Sequence, residues 1–177
     1  SGVVLFARSA EAHRALSIAF EERRTAKSYR AWVAGGPLPD SGRIETPLHA
    51  ARRGKSRPAL PGEAGARAAS TSFRVLRRWA APSGREVAAL EVEPESGRHH
   101  QIRVHLRSVG AAILFDPLYG PGDGRALPTG APCRRLALHA WRITLPATAP
   151  DCERRTFVAP LAPDLVALEA WLDAATP

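Results

Sequence analysis

Apolar residues recur along this chain in two periods, and the switches between them lay out the elements. Val3 to Ala7 is a short apolar run, predicted as a buried strand. Ser9 sits where an N-cap belongs for a helix from about Ala10 to Arg23, with Ala15, Leu16, Ala19 and Phe20 toward the core. Tyr29, Ala31 and Val33 alternate with Ser28, Arg30 and Trp32, so Lys27 to Val33 reads as a strand, ended by Gly35-Gly36-Pro37. Thr71 to Trp79 and Val87 to Val92 are further strands, and Pro82-Ser83-Gly84 between them predicts a hairpin. Ala112 to Leu114, Leu136 to Leu145 and Thr156 to Val158 complete the strands, a Gly/Pro loop spans Gly120 to Pro132, and Asp164 to Leu172 closes the chain as an amphipathic helix. Strands outnumber helices and follow one another without regular βαβ alternation, which predicts an α+β fold.

Two stretches break the pattern. Residues 37–69 carry prolines at 37, 39, 47, 58 and 61 and the basic run Arg52-Arg53-Gly54-Lys55-Ser56-Arg57, predicting an irregular, mobile basic loop with short strand pieces. Gly97-Arg98-His99-His100-Gln101-Ile102-Arg103-Val104-His105-Leu106 instead reads as a helix of about three turns, stopped by Gly110. In that helix Ile102, Leu106 and Val109 form an apolar stripe, while His99, Arg103 and Arg107 share another face. So dense a set of arginines, histidines and glutamine predicts a face turned to an anion, because guanidinium groups pair phosphates and carboxylates with a planar fork.

At 177 residues and 45% hydrophobic content the chain predicts one domain. Its 25 Lys+Arg against 17 Asp+Glu, a formal charge of +8, point to a polyanionic partner. No apolar run reaches the roughly 20 residues of a membrane span, so no membrane partner is expected and a cytoplasmic protein is the simplest reading. Cys133 and Cys152 form no C-x-x-C pair and the six histidines no H-E-x-x-H, so neither disulfide nor metal is expected. Gly54-Lys55-Ser56 is not a phosphate loop, since His49 stands where the first glycine belongs. The basic run is either a solvated surface or an arm following an RNA backbone through Arg52, Arg53, Lys55 and Arg57. Lys27 and Tyr29 lie two apart on one strand and point to the same face, where the tyrosine either packs in the sheet or stacks on a base. The absence of methionine implies that Ser1 is not the natural start.

Over nearly its whole length the chain resembles the catalytic domain of RluA/RsuA-type pseudouridine synthases, closest to the RluA branch. The likeness rests on Ser1-Gly2-Val3-Val4-Leu5-Phe6-Ala7, on Lys27 to Gly35, on Ser96 to Leu106, on Asp116-Pro117-Leu118-Tyr119-Gly120, on Leu136 to Ala140 and on Ala159 to Pro163. It implies a mixed, mainly antiparallel sheet with flanking helices and a central RNA-binding cleft. It also implies isomerisation of uridine to pseudouridine in ribosomal or transfer RNA by base flipping, with no cofactor and no obligate protein partner. By this resemblance Tyr29 stacks on the flipped uracil and Arg103 pairs with the catalytic aspartate. Leu136 or Leu138 supplies an apolar wall, and Lys27, Arg98, His100, Gln101 and His105 bind substrate or brace the helix.

In the family that aspartate lies a few residues before the Ser-Gly with which this chain begins. The resemblance therefore puts the nucleophile upstream of Ser1 and implies that the 177 residues alone are inactive. His99 and Phe115 depart from the family's usual small residue and glycine. The alternative is a non-catalytic RNA-binding or RNA-chaperone module of the same fold.

Overall fold

The computed structural model describes residues 1–80, 86–120, 130–147 and 153–175. The turn expected at Pro82-Ser83-Gly84, most of the Gly120 to Pro132 loop, and Cys152 lie outside the described residues. The elements in order are α1 (Ala10–Glu21), β1 (Ala26–Gly35), β2 (Ser41–Ile44), β3 (Leu48–Ala51), β4 (Lys55–Pro58), β5 (Thr71–Ala80) and β6 (Glu86–Pro94). There follow α2 (Gln101–Ser108), β7 (Ala111–Ile113), β8 (Leu138–Leu145), β9 (Arg155–Val158) and α3 (Pro163–Ala175).

The fold is α+β. A seven-stranded sheet runs β2-β5-β6-β1-β8-β9, with β7 also paired to β1, and β3 and β4 form a separate hairpin. Every strand pairing is antiparallel. β1 is the central strand: one edge meets β6 from Tyr29 to Gly35, and the other meets β8 in its first half and β7 in its second. The alternation that predicts β1 therefore presents two working faces. Trp32 donates its indole N–H to Glu169 of α3 and Trp79 of β5 donates to Asp173, one helical turn further on, so two sheet tryptophans anchor the same side of α3. Leu165, Leu168 and Leu172 of α3 are buried behind these contacts.

Ser9 caps α1 as expected, its hydroxyl accepting from the Ala12 N–H at 3.2 Å. Of the four residues expected to face the core, only Ala19 is buried, and Phe20 is 39% exposed. The expected buried strand at Val3 to Ala7 does not form: Val4 and Phe6 are 70% and 85% exposed. Ser1 to Val3 does join the sheet, by one parallel bridge of Gly2 to Ala140. The remaining edge of β8, from Arg142 onward, is taken by β9, so the chain has no partner strand to follow and turns away. Gly2 is obligatory at the bridge. Its φ is +113°, and a Cβ there would lie 2.2 Å from the Ala140 carbonyl oxygen.

The arginine helix is shorter than its sequence suggests. His100 adopts left-handed backbone (φ 55°), so α2 starts at Gln101 and has about two turns, with His99 and His100 in the preceding turn. Val109, expected on the apolar stripe, is 43% exposed, whereas Val104 and His105 are buried. The helix is covered on more than one side, because the β3–β4 hairpin packs on it opposite the sheet: Val104 clusters with Leu48, Ala69 and Tyr119. The 37–69 segment thus contributes an ordered hairpin, with Arg52–Gly54 forming a short 3-10 turn at its tip.

Candidate active site

A cavity of about 520 Å³ opens where β1, α2 and the start of β8 meet. β1 brings Lys27 and Tyr29; the Ser96 to Arg103 segment brings Arg98, His100, Gln101, Ile102 and Arg103; and Leu136 and Leu138 come from the approach to β8. Seven of the expected substrate-site residues and both expected catalytic ones can therefore be located: all line this cavity except His105. Tyr29 and Arg103 are 74 residues apart in sequence. They share the cavity because α2 packs on β7, and β7 pairs with β1.

Ile102, Leu136, Leu138 and the half-buried Tyr29 ring form an apolar wall, and Arg98, Arg103 and Lys27 form a cationic rim. Burial pushes the Tyr29 hydroxyl above its ordinary range, so its proton stays on at neutral pH. Such a cavity suits a planar ring with anionic groups at its edge.

The resemblance pairs Arg103 with a catalytic aspartate; in the structure its carboxylate partner is Asp116. Its Nε and Nη2 donate to the two carboxylate oxygens of Asp116 at 2.8 and 2.6 Å, a bidentate pair in which Asp116 is fully buried. Oδ1 of Asp116 also accepts the backbone N–H groups of Leu118 and Tyr119. Burial alone would raise the Asp116 carboxyl, but the Arg103 fork and the two N–H groups outweigh it and hold the acid ionised. The Tyr119 ring lies under the Arg103 guanidinium, 4.9 Å from its centroid, and the Tyr119 hydroxyl accepts the Ser56 N–H of the hairpin. Arg107 donates to the carbonyls of Tyr119 and Gly120. Asp116 to Gly120 is thus a clamp that fixes Arg103 from below, and it ties the hairpin to the same point. Sequence reasoning missed both Asp116 and Tyr119. The signal was present, since a carboxylate directly after the apolar run Ala111 to Phe115 is headed for burial and needs a cation.

Gln101 and His105 serve the architecture. The Gln101 amide oxygen accepts from Ser96 Oγ and the Arg98 N–H, while its nitrogen donates to the Ser70 carbonyl and Thr71 Oγ1. His105 is fully buried, with Nε2 2.9 Å from the Thr46 carbonyl oxygen. A carbonyl only accepts, so Nε2 carries the proton and Nδ1 accepts from Thr71 Oγ1 at 2.8 Å. The expectation that His105 touches substrate is therefore corrected to a core role. Burial lowers the proton affinity of His105, so the unfolded chain takes up its proton first as pH falls. Stability is complete above the ordinary histidine value of about 6.5 and declines below it. Melting temperature is expected to fall between about pH 7 and pH 5, with a smaller slope in His105→Gln; an identical slope in both would exclude His105 as the group concerned.

Arg52, Arg53 and Lys55 are exposed at the hairpin tip, away from the cavity. Arg57, expected beside them on an RNA backbone, is instead held by the Glu63 carboxylate, whose pKa that pairing lowers to about 2. Among the described residues no group of three His, Cys, Asp or Glu side chains is placed to hold a metal ion, and no helix is long and apolar enough to cross a membrane.

Comparison with known proteins agrees with this architecture. Residues 1–108 match the family model described as RNA pseudouridylate synthase. The dual-specificity RNA pseudouridine synthase RluA of Vibrio vulnificus is 34% identical over 140 residues, covering 79% of this chain and 54% of the relative. The ribosomal large subunit pseudouridine synthase D of Neisseria meningitidis serogroup A is 34% identical over 185 residues, covering 98% of this chain and 47% of the relative. Human RNA pseudouridylate synthase domain containing 1 shares the fold, with a TM-score of 0.71 over 95% of this chain and 72% of that one, at 23% identity. The chain belongs to the RNA pseudouridylate synthase family, on its RluA-like side, and spans about half the length of these two bacterial relatives.

Proposed function

We propose that this chain is the larger part of the catalytic domain of an RNA pseudouridine synthase acting on structured ribosomal or transfer RNA. The observation that carries the reading is the single cavity uniting Tyr29, Arg103 and the Leu136–Leu138 wall. The target uridine leaves its stack and enters with its ring against Tyr29 and the leucines. The guanidinium of Arg103, clamped by Asp116 and Tyr119, faces the nucleotide with its orientation already set. A carboxylate nucleophile attacks the sugar or the base, the N1–C1′ bond breaks, and the ring turns. A C5–C1′ bond then forms, the bond to the carboxylate breaks and frees it, and the proton lost from C5 is balanced by one gained at N1.

Among the described residues none lining the cavity is acidic, which supports a nucleophile from outside it. The path of the chain supports an origin before Ser1. Gly2 runs parallel to β8 at Ala140, so preceding residues continue back along His139 and Leu138 toward Leu136, at the cavity wall. The Ser1 hydroxyl already meets His139 Nδ1 at 2.9 Å.

The same lack of an acid favours a second reading, an RNA-binding module without chemistry. Pseudouridine mapping of total RNA from a deletion strain separates the two. Loss of one or a few modified positions, restored by the gene, supports the synthase; an unchanged map supports the binding module. For RNA engagement itself, neutralising Arg52, Arg53 and Lys55 together is expected to reduce the slope of log affinity against log salt by about two. An unchanged slope would leave the tip a solvated surface.

A further inference from the structure

The reaction cavity continues beyond Lys27. On the far side of that residue lies a second groove of about 580 Å³, lined by Arg23, Thr25, Lys27, Glu93, Arg142 and Arg154 among others, and Lys27 and Pro94 belong to both walls. Gly97 lies beside this border, the Lys27 ammonium being 3.7 Å from where a Cβ at Gly97 would stand.

The charges in this groove are unevenly matched. Its acids are engaged: Glu93 lies 3.6 Å from Arg142, and Glu95 accepts two hydrogen bonds from Arg43. Arg23, Lys27 and Arg154 have no carboxylate within ion-pair distance among the described residues. Arg43, Arg77, Arg78 and Arg135 by contrast each pair with an acid. Here burial, and to a lesser degree the neighbouring Arg23, disfavours the charged form of Lys27. Arg23 also occupies left-handed backbone, φ 57°, which a non-glycine residue enters only at a cost. The Thr25 hydroxyl on the same wall is buried and without a hydrogen-bond partner. Like charges gathered in a polar groove without a counter-ion are arranged for an anion.

We propose that this groove is a subsite for the phosphodiester of a nucleotide flanking the flipped uridine, held by Arg23 and Arg154 with Lys27 at the border of the two sites. The inference rests on the synthase reading of the cavity, which gives the ligand its direction. A nucleotide flipped into the cavity leaves its neighbours outside on a continuous backbone, and that backbone must cross the adjoining surface. The Lys27 border carries it into a groove whose free groups are cations.

The test is binding of a fluorescently labelled uridine-loop RNA hairpin to the 177-residue chain across a salt series. Arg23→Asn with Arg154→Gln removes two charges, asparagine being chosen because it tolerates left-handed backbone. The double variant is expected to bind several-fold more weakly at low salt, with the log–log slope reduced by about one. A control carrying Arg8→Gln and Arg14→Gln, two exposed arginines outside the groove, loses the same charge and keeps the slope. If Arg23→Asn lowers the melting temperature, Arg154→Gln alone serves, with a smaller change in the same direction.

Equal slopes for groove and control variants would overturn the proposal while leaving RNA binding intact. Failure of the unaltered chain to bind the hairpin would overturn the synthase reading and this one with it. Inorganic phosphate that binds the unaltered chain but not the groove variant, with hairpin affinity and slope unchanged at constant ionic strength, would make the groove a free-anion site and also overturn the assignment.

Discussion

Asp116→Asn is expected to destabilise the folded chain by about 3–5 kcal/mol, because it strands the Arg103 guanidinium at a site where that side chain is only 11% exposed. For a domain of this size the melting temperature should drop by roughly 6–20 °C. Asparagine is nearly isosteric and its oxygen still accepts the Leu118 and Tyr119 N–H groups, so the loss is assignable to the ion pair rather than to packing. Arg103→Ala should cost a similar amount by stranding the acid. The two losses should not add, because once one partner is gone the other is already uncompensated. Arg103→Met combined with Asp116→Asn removes both charges and is expected to recover much of the stability. It should not recover activity, since methionine offers no fork to a nucleotide. Thermal denaturation of the four proteins checks the first part. A loss below about 1 kcal/mol for both single variants would mean that the pair is solvated and the clamp unimportant.

Pseudouridine formation is expected to be absent in the 177-residue chain and present in a longer form that carries an aspartate shortly before Ser1. Replacing that aspartate by asparagine should then lower turnover by at least about three orders of magnitude, as expected when a nucleophile is removed. In the longer form Tyr29→Phe separates two roles of the ring. Stacking on uracil survives the loss of the hydroxyl, so a retained rate assigns Tyr29 to positioning. A fall of about 10²–10⁴-fold, with binding unchanged, assigns the hydroxyl to proton transfer. Turnover by the unextended chain would refute an upstream nucleophile and require a carboxylate of these 177 residues to reach the cavity.

Arg103 was legible in the sequence as a residue meant for an anion, but its partner was not. It sits on a short helix dense in arginine and histidine, and that density marks it out. The choice of Asp116 depends on where the chain returns after β7. Phe115 adopts φ 56°, and Asp116 is carried back under α2, a path written in no periodicity. The same holds for Gln101 and His105. In sequence they look like more of the polar face. In the fold they are buried between Ser70, Thr71, Ser96 and Thr46, because the start of β5 and the segments at residues 46 and 96 close over a side of α2 that the sequence pattern assigns to solvent.

The sequence by itself determined what local physics can encode. Alternation made β1 a strand and apolar runs between turn residues made β5, β6 and β8, Ser9 capped α1, and three leucines one or two turns apart buried one side of α3. Tertiary structure decided what depends on competition between distant segments. Val3 to Ala7 has strand character but no free edge, because β9 already occupies β8. Tyr29 and Arg103 meet because β1 lies at the centre of the sheet, with its Tyr29 face toward α2 and its Trp32 face toward α3. A side chain's residue type is local, but its partner is chosen by the lowest-energy arrangement of the whole chain. For the buried charges of this site, that choice separates a stabilising pair from an uncompensated ion.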